Sequence, residues 1–307
     1  METRIGSVVL PNPVLTASGT AGHADELRRY VDLADLGAVV VKSLSAEPWA
    51  GNPAPRVHES DVGMLNSVGL QNPGVEAWLE HDLPRLEARG ARVVASIWGF
   101  TVEAYDKAAR MLAEASDAVI AVEVNVSCPN VEDRRTMFAH SPAGTAEAVA
   151  AAAACARPRW AKLSPNVTDL TEIAAAALGA GADALTLINT VMGLAIDPET
   201  GRVRLGAGGG GLSGPSIRPV AVRAVYDCRR AFPDAPIVGV GGIASAADAV
   251  ELLRAGANAV QVGTATFADP RASHRVLREL EKWCRSRGVH RVADLTGRID
   301  HEPAGSG

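Results

Sequence analysis

The chain has 307 residues, of which 47% are hydrophobic and 21% are charged, so it can bury a sizeable core and is not disordered. Its formal net charge of −5 argues against a nucleic-acid-binding protein, which usually carries a basic excess. No apolar run approaches the roughly 20 residues that span a bilayer, and the N-terminus lacks the apolar core of a signal peptide. The four cysteines are far apart and form no CxxC motif. We therefore expect a reducing, cytoplasmic location, no disulfide framework and no metal site.

Short β-branched runs alternate with longer helical patterns along the chain. The runs predict eight strands, at Val14–Ala17, Ala38–Val41, Val93–Ile97, Val119–Val126, Trp160–Leu163, Ala184–Ile188, Ile237–Val240 and Ala259–Val262. The helical patterns lie at Asp25–Leu36, Val75–Ala88, Val102–Ala115, Thr145–Ala156, Asp169–Ala180, Pro219–Ala231 and Ala246–Ala255. This alternation predicts one (β/α)8 TIM barrel domain over residues 1–299, with a disordered tail over 300–307. A doubly wound open sheet is the alternative, but no GxGxxG follows the first strand.

Two longer insertions interrupt this alternation, at Ser45–Gly74 and Val191–Pro215. The second contains a glycine-rich run at Gly206–Gly211. Long loops inside a compact domain are often functional. We therefore expect long active-site loops at the C-terminal face of the barrel, and a surface linker is the alternative for the glycine run.

Polar side chains follow several predicted strands, where a barrel carries its functional groups. Lys42 comes directly after three valines, and Lys162 lies in a similar strand. An ammonium group buried without a partner is costly, so each lysine either reaches solvent or faces an anionic ligand or cofactor. The segment Asn125–Asn130 brings amides, a hydroxyl and Cys128 to one strand end, which makes this thiol a candidate acid, base or nucleophile.

Glycines follow the last two predicted strands, at Gly241-Gly242 and at Gly263. Their backbone N–H groups could approach a phosphate at a helix N-terminus, although tight helix–strand packing would also explain them. Four histidines lie in loops or on helix flanks and are expected at the surface, namely His23, His58, His81 and His140. Together, glycines, amides and two lysines fit a phosphate-anchored organic cofactor, and a fixed cation suits a flavin that becomes anionic when it is reduced.

Several motifs, in one order along the chain, resemble class 1 dihydroorotate dehydrogenase from about Ile5 to about Gly288. They are Val41-Lys42-Ser43, Asn66–Gly74, Asn125–Asn130 and Lys162–Asn166. The form of Gln71-Asn72-Pro73, of Ile188–Gly193 and of Gly211–Pro215 is most similar to class 1B, the NAD-linked branch.

The resemblance implies an FMN-containing barrel that oxidises (S)-dihydroorotate to orotate in pyrimidine (UMP) synthesis. It assigns Cys128 as the base for the C5 proton, while the C6 hydride goes to FMN. The implied substrate-binding residues are Lys42, Asn66, Ser67, Val68, Gly69, Leu70, Asn125, Asn189 and Thr190. The implied FMN-binding residues are Ser18, Lys42, Ser43, Asn125, Lys162, Ile188, Gly214, Gly241, Gly242, Gly263 and Thr264.

The resemblance also implies a homodimer of catalytic chains, paired in a heterotetramer with a second subunit that carries FAD and a [2Fe–2S] cluster. This chain fits that division, because it has neither cluster-type cysteine spacing nor a dinucleotide fingerprint. The loop Glu132–His140 departs from the family pattern by losing its glycines, which favours a paralogue acting on a related dihydropyrimidine or other cyclic amide.

Two further hypotheses drop the flavin. One is a non-redox barrel, either a phosphosugar isomerase or an aldolase that uses Lys162 as a Schiff base. The other is a binding module without turnover, which the density of polar groups at strand ends disfavours, because polar groups buried without a ligand are destabilising.

Overall fold

Eight parallel strands form a closed barrel in the computed structural model, which describes residues 1–127 and 137–299. The strands are β1 (Val14–Thr16), β2 (Val39–Val40), β3 (Val93–Ile97), β4 (Val119–Asn125), β5 (Arg159–Leu163), β6 (Ala184–Leu187), β7 (Ile237–Val240) and β8 (Ala259–Val262). Each strand pairs with its sequence neighbour, and β8 pairs with β1. A parallel bridge between Leu15 and Ala38 joins β1 to β2 and closes the ring. The predicted TIM barrel is therefore confirmed, with all eight strands in their predicted places.

The barrel interior is filled in layers by alternate residues of the strands. At the amino ends of the strands, Trp160 and aliphatic residues of the other strands form an apolar layer. An antiparallel hairpin (Thr3–Ile5 and Val8–Leu10) closes this end, where Ile5 and Leu10 are fully buried. The next layer is polar and contains Glu123 and Gln261, both fully buried. Polar groups in this position require partners within the barrel.

Helices cover the outside of the barrel. The longer ones are Val102–Ala113, Pro142–Ala151, Leu170–Gly179, Arg218–Ala231, Ala246–Ala255 and Ala272–Ser286. The shorter α-helical pieces are Val75–Ala77, Leu83–Glu87 and Ala265–Ala268, with a π turn at Trp78–Asp82 and 3-10 turns at Glu26–Arg29, Leu33–Asp35, Phe138–His140, Ala152–Cys155, Pro215–Ile217 and Val292–Leu295. None of the helices within residues 1–127 and 137–299 has the length and apolar character needed to cross a membrane.

The predicted helix at Asp25–Leu36 is wrong. The structure has two separate 3-10 turns there, because the Asp32 side chain accepts a hydrogen bond from the Ala34 N–H at 3.0 Å and begins a new turn. The helix Ala272–Ser286, in contrast, was not among the predicted helices.

The two insertions are not loops throughout, because they pair with each other. Strands Val57–Ser60 and Gly63–Asn66 from the first insertion join Val191–Gly193 and Gly210–Ser213 from the second in an antiparallel sheet. We call these four strands the cap sheet. A Cβ atom on Gly211 would lie 2.1 Å from Thr190 Oγ1, so this close packing requires glycine. The end of the glycine run, Gly210 and Gly211, therefore belongs to the cap sheet and not to a surface linker, whereas Gly206 and Gly209 are exposed.

Candidate active site

A cavity of about 310 Å³ lies between the carboxyl ends of the barrel strands and the cap sheet. Every candidate site residue within residues 1–127 and 137–299 lines it. They are Ser18, Lys42, Ser43, Asn66, Ser67, Val68, Gly69, Leu70, Asn125, Lys162, Ile188, Asn189, Thr190, Gly214, Gly241, Gly242, Gly263 and Thr264. Cys128 falls outside the described residues. The structure thus brings together groups from seven strand ends and both insertions, while their individual roles stay predictions.

A chain of amides and hydroxyls crosses one wall of the cavity. Asn189, just after β6, donates from Nδ2 to Asn125 Oδ1 at 3.2 Å, and Asn125 donates from Nδ2 to Ser43 Oγ at 3.3 Å. The Tyr105 hydroxyl donates to the Asn125 carbonyl at 2.8 Å and holds the end of β4. The Ser127 Oγ atom is buried without a hydrogen-bond partner among the described residues. This wall can therefore offer both donors and acceptors to a polar, planar ligand.

Lys162 reaches the cavity from the interior of β5. Its ammonium donates to Ser18 Oγ at 3.0 Å and lies 3.7 Å from Glu123 Oε1. The lysine side chain is 6% exposed and the glutamate side chain is fully buried. Lys162 and Glu123 therefore form a buried ion pair. The cavity therefore contains a cation with its counter-ion in the barrel interior.

The loop that carries Asn66 to Leu70 is tied down from outside the cavity. Asn52 Nδ2 donates to Ser67 Oγ at 2.9 Å, and Trp49 Nε1 donates to the Gly69 carbonyl at 3.0 Å. Leu70 adopts a φ of 64°, a left-handed conformation that is strained for a leucine and often marks a functional segment. These contacts keep the loop backbone against the cavity.

Glycine turns after β7 and β8 form the opposite wall. Gly241 and Gly242 have φ values of 138° and 74°, which L side chains rarely adopt. Thr264 Oγ1 hydrogen-bonds Ser213 Oγ at 2.8 Å, in one direction or the other, and so joins this wall to the cap sheet. Close backbone approach of this kind suits a phosphate group.

The N-terminus of helix Ala246–Ala255 is already capped. Ser245 and Asp248 form a reciprocal capping box, and Asp248 also accepts from the Ala244 N–H at 2.9 Å. An anion at this helix end would meet the Asp248 carboxylate. The expectation that this helix N-terminus faces a phosphate is therefore not supported, and the glycine turns themselves are the candidate cradle.

His23 corrects one expectation about the histidines, because it is half-buried rather than at the surface. Burial, followed by the charge of Lys42, lowers the pKa of His23 from 6.5 to about 4. His81 and His140 are exposed as expected, and His58 is partly exposed. The neutral His23 ring beside Lys42 therefore adds no charge to the cavity near neutral pH.

The sequence interpretation missed the polar layer beneath the cavity. Glu123 accepts from Ser96 Oγ at 3.2 Å and from Gln261 Nε2 at 2.9 Å. A signal was available, because Glu123 and Gln261 each stand between two valines in a strand. A polar residue at that point of a strand covered by helices faces the barrel interior.

Three of the four cysteines are structural. Cys155, Cys228 and Cys284 are buried free thiols, and burial raises the pKa of each, in Cys228 to about 12. Such thiols stay protonated near neutral pH and do not act as bases.

Comparison with known proteins places this site in a family. The sequence model of the protein family described as "Dihydroorotate dehydrogenase" matches residues 1–284. The chain belongs to the dihydroorotate dehydrogenase family. It is 47% identical to the "Dihydroorotate dehydrogenase B (NAD(+)), catalytic subunit" of Trichlorobacter lovleyi, over 98% of each chain. It is 49% identical to the protein of the same description from Desulforudis audaxviator, over 95% of each chain.

Other members of the family differ in description or in sequence. The chain is 48% identical to a "Putative dihydroorotate dehydrogenase A (fumarate)" of Solibacter usitatus, over 97% of this chain and 98% of that one. A crystal structure of DHODH from Eimeria tenella in complex with ferulenol superimposes with a TM-score of 0.79 at 24% identity, and the match covers 97% of this chain and 88% of the other. That likeness supports the fold.

Proposed function

We propose that this chain is the FMN-dependent catalytic subunit of a dihydroorotate dehydrogenase, which oxidises (S)-dihydroorotate to orotate in pyrimidine synthesis. One observation carries the proposal: the amides, lysines and glycine turns line a single cavity at the carboxyl ends of the barrel strands. Active sites of this fold lie at that face. The family of the chain supports the same activity.

We assign substrate binding to the amide wall and to the loop from Asn66 to Leu70. A cyclic diamide offers alternating N–H donors and carbonyl acceptors, which match the amides of Asn125 and Asn189. Lys42 supplies a positive charge for the substrate carboxylate. Thr190 and the loop backbone complete the enclosure, because they line the same cavity.

We assign proton abstraction from C5 of the substrate to Cys128. Carbon acids of this kind are weak, so a positioned thiolate with a lowered pKa is an effective base. FMN, when bound, supplies the acceptor for the C6 hydride. The lysines and amides of the cavity hold the substrate and stabilise the charge that develops on it.

The residues present also fit FMN. The glycine turns at Gly241-Gly242 and Gly263 offer backbone to a phosphate, with Thr264 beside them. Lys162 offers a cation to a ring that becomes electron-rich on reduction. The Ser127 hydroxyl, which has no hydrogen-bond partner in the described part of the chain, is available to a bound ligand.

The Lys162–Glu123 pair disfavours a Schiff-base aldolase. A Schiff-base lysine needs its Nζ atom available to attack a carbonyl, whereas Lys162 Nζ donates to Ser18 Oγ at 3.0 Å and lies 3.7 Å from Glu123 Oε1. The departures in the Glu132–His140 loop favour a second candidate, the same flavin chemistry on a related dihydropyrimidine or other cyclic amide.

We further propose a homodimer that joins an FAD/[2Fe–2S] subunit in a heterotetramer in the cytoplasm. Two similar proteins described as catalytic subunits of an NAD(+) enzyme support a separate partner. The description of the Solibacter usitatus protein contains the word fumarate, which supports fumarate as an alternative electron acceptor. Size measurement of the purified chain with and without a co-expressed partner tests the assembly.

The deciding experiment is anaerobic mixing of the purified yellow protein with (S)-dihydroorotate. The absorbance of the oxidised flavin at about 450 nm is recorded during mixing. Rapid bleaching is the expected result. Bleaching by 5,6-dihydrouracil but not by dihydroorotate would favour the second candidate, and a colourless protein that binds no added FMN would exclude both. Reoxidation by fumarate, compared with reoxidation through the partner subunit and NAD⁺, then identifies the acceptor.

A further inference from the structure

The polar layer beneath the cavity has a direction. Lys162 lines the cavity, whereas Glu123, Ser96 and Gln261 lie beneath it and are fully buried. The positive end of the Lys162–Glu123 pair therefore faces the ligand space, and the negative end faces the barrel interior. An isolated pair with this orientation presents a cation without adding net charge to the core.

Each oxygen of the Glu123 carboxylate has a partner. Ser96 donates to Oε1 at 3.2 Å and Gln261 donates to Oε2 at 2.9 Å, while the Lys162 ammonium lies 3.7 Å from Oε1. Two neutral donors thus fix the carboxylate, and the fixed carboxylate attracts the lysine. A fully buried carboxylate persists as an anion only with such compensation.

Within the described residues, Lys162 uses at most two of its three N–H donors. An ammonium group carries three N–H donors. One is taken by Ser18 Oγ at 3.0 Å, and one faces Glu123. Within residues 1–127 and 137–299, at least one N–H of Lys162 remains for an acceptor in the cavity. Ser18 and Glu123 together hold the Lys162 Nζ atom at the cavity lining.

We infer that Glu123 is a positioning residue, which holds the Lys162 ammonium in place and directs it into the cavity for the cofactor. The cofactor half of this inference rests on the proposed function. The other titratable side chains near the pair within the described residues are Lys42, across the same cavity, and His23 beside Lys42. Neither can replace a carboxylate as counter-ion.

The lysine content of the chain makes a direct test simple, since there are only four lysines, Lys42, Lys107, Lys162 and Lys282. In protein labelled with ¹⁵N-lysine, buried and hydrogen-bonded ammonium protons exchange slowly with water. We expect a slow Lys162 signal in the wild-type apoprotein and fast exchange at the exposed Lys107 and Lys282. Glu123→Gln should accelerate Lys162 exchange at least tenfold.

A matched control uses the exposed pair of Lys107 and Glu47, whose side chains are 61% and 64% exposed. Glu47→Gln should leave the exchange of Lys162 unchanged. If Glu123→Gln does not fold, Glu123→Asp keeps the charge but withdraws it by one methylene, and should give a smaller change in the same direction. An unchanged Lys162 exchange rate in the folded Glu123 variant overturns the inference.

The second measurement is the affinity for FMN, in a double-mutant cycle that combines Glu123→Gln with Lys162→Met. We expect Glu123→Gln and Lys162→Met each to weaken FMN binding about tenfold. The FMN dissociation constant of the double variant should lie within about twofold of that of Lys162→Met, because Glu123 acts through the lysine. Effects that multiply would overturn that role. A wild-type protein that binds no FMN would defeat the proposed function, while the exchange measurement would still decide whether Glu123 positions Lys162.

Discussion

Asn189 and Asn125, which lie 64 residues apart at the ends of β6 and β4, share a hydrogen bond of 3.2 Å across the cavity wall. The bond occupies one donor of Asn189, and its Oδ1 accepts from the Thr190 N–H at 2.8 Å. Within the described residues this leaves one N–H donor and one lone pair of Asn189 for a ligand. Asn125 is fixed independently, because its Oδ1 also accepts from the Ser127 N–H at 3.2 Å. The pair therefore combines a rigid member with one more open to the ligand.

Asn189→Ala should raise the KM for dihydroorotate by about 5- to 150-fold, since leaving a buried polar group of the bound ligand without its partner costs about 1–3 kcal/mol. Stability should fall by only about 1 kcal/mol, because Asn125 keeps its other partners. Asn12→Ala is the matched control, since Asn12 is a buried asparagine at the opposite end of the barrel. That variant should lose stability and keep its KM. Equal KM values in the two variants would contradict the assignment of Asn189.

Gly242→Ala should destabilise the protein by about 1–3 kcal/mol and weaken FMN retention. The residue has a φ of 74°, and a Cβ atom would lie 2.6 Å from Arg218 Cβ. Gly179→Ala serves for comparison, because nothing lies within 4 Å of its Cβ position at the end of helix Leu170–Gly179. It should be neutral or stabilising by about 0.5–1 kcal/mol. Urea unfolding and FMN release measure both, and a Gly242 variant that holds FMN normally would remove this turn from the phosphate cradle.

The free energy of unfolding should depend on pH through His23. Burial lowers its pKa from 6.5 to about 4 in the folded chain, so the unfolded chain binds the proton more readily between those values. Stability should therefore fall as the pH drops from 6.5 towards 4, by at most about 1.4 kcal/mol per pH unit. His23→Asn should flatten this part of the profile, while His81→Asn, at an exposed site, should not. Identical slopes in wild type and His23→Asn would show that other groups cause the acid dependence.

Cys128→Ser should retain FMN and slow flavin reduction by dihydroorotate by about 10²- to 10⁴-fold at neutral pH, the range usual for loss of a general base. Stopped-flow absorbance under anaerobic conditions measures the rate. Cys284→Ser, in the outer helix Ala272–Ser286, is the control and should reduce at the wild-type rate. A Cys128 variant that reduces as fast as this control would exclude the thiol as the base.

The sequence predicted the barrel because its strands are short, β-branched and separated by helical periods, and Ile237–Val240 and Ala259–Val262 have their predicted limits. The residues of the cavity were predicted from a resemblance to a known family. The contacts among these residues were not predicted, because they join positions that are far apart in the sequence. The pairing of Gly211 with Asn66 joins positions 145 residues apart, and no local pattern encodes such a partner. His23 was misjudged for the same reason, since it contacts Trp78, whose Nε1 donates to the His23 carbonyl at 2.7 Å from 55 residues away.

The polar layer beneath the cavity shows a second limit of prediction from sequence. Alternation alone places Glu123 and Gln261 inside the barrel, but it does not show that they meet. Their 2.9 Å bond spans 138 residues, and it exists because β4 and β8 face each other across the ring. Closure of the barrel therefore creates a pair that neither strand shows by itself.

The cap sheet has a consequence for how this protein can change over generations. Its two central strands, Gly63–Asn66 and Gly210–Ser213, come from different insertions and pair directly. A chimera that received one insertion from another barrel would leave the remaining strand with an unmatched edge. The two insertions must therefore be inherited, lost or exchanged together, and recombination between members of the family is expected to preserve them as one unit.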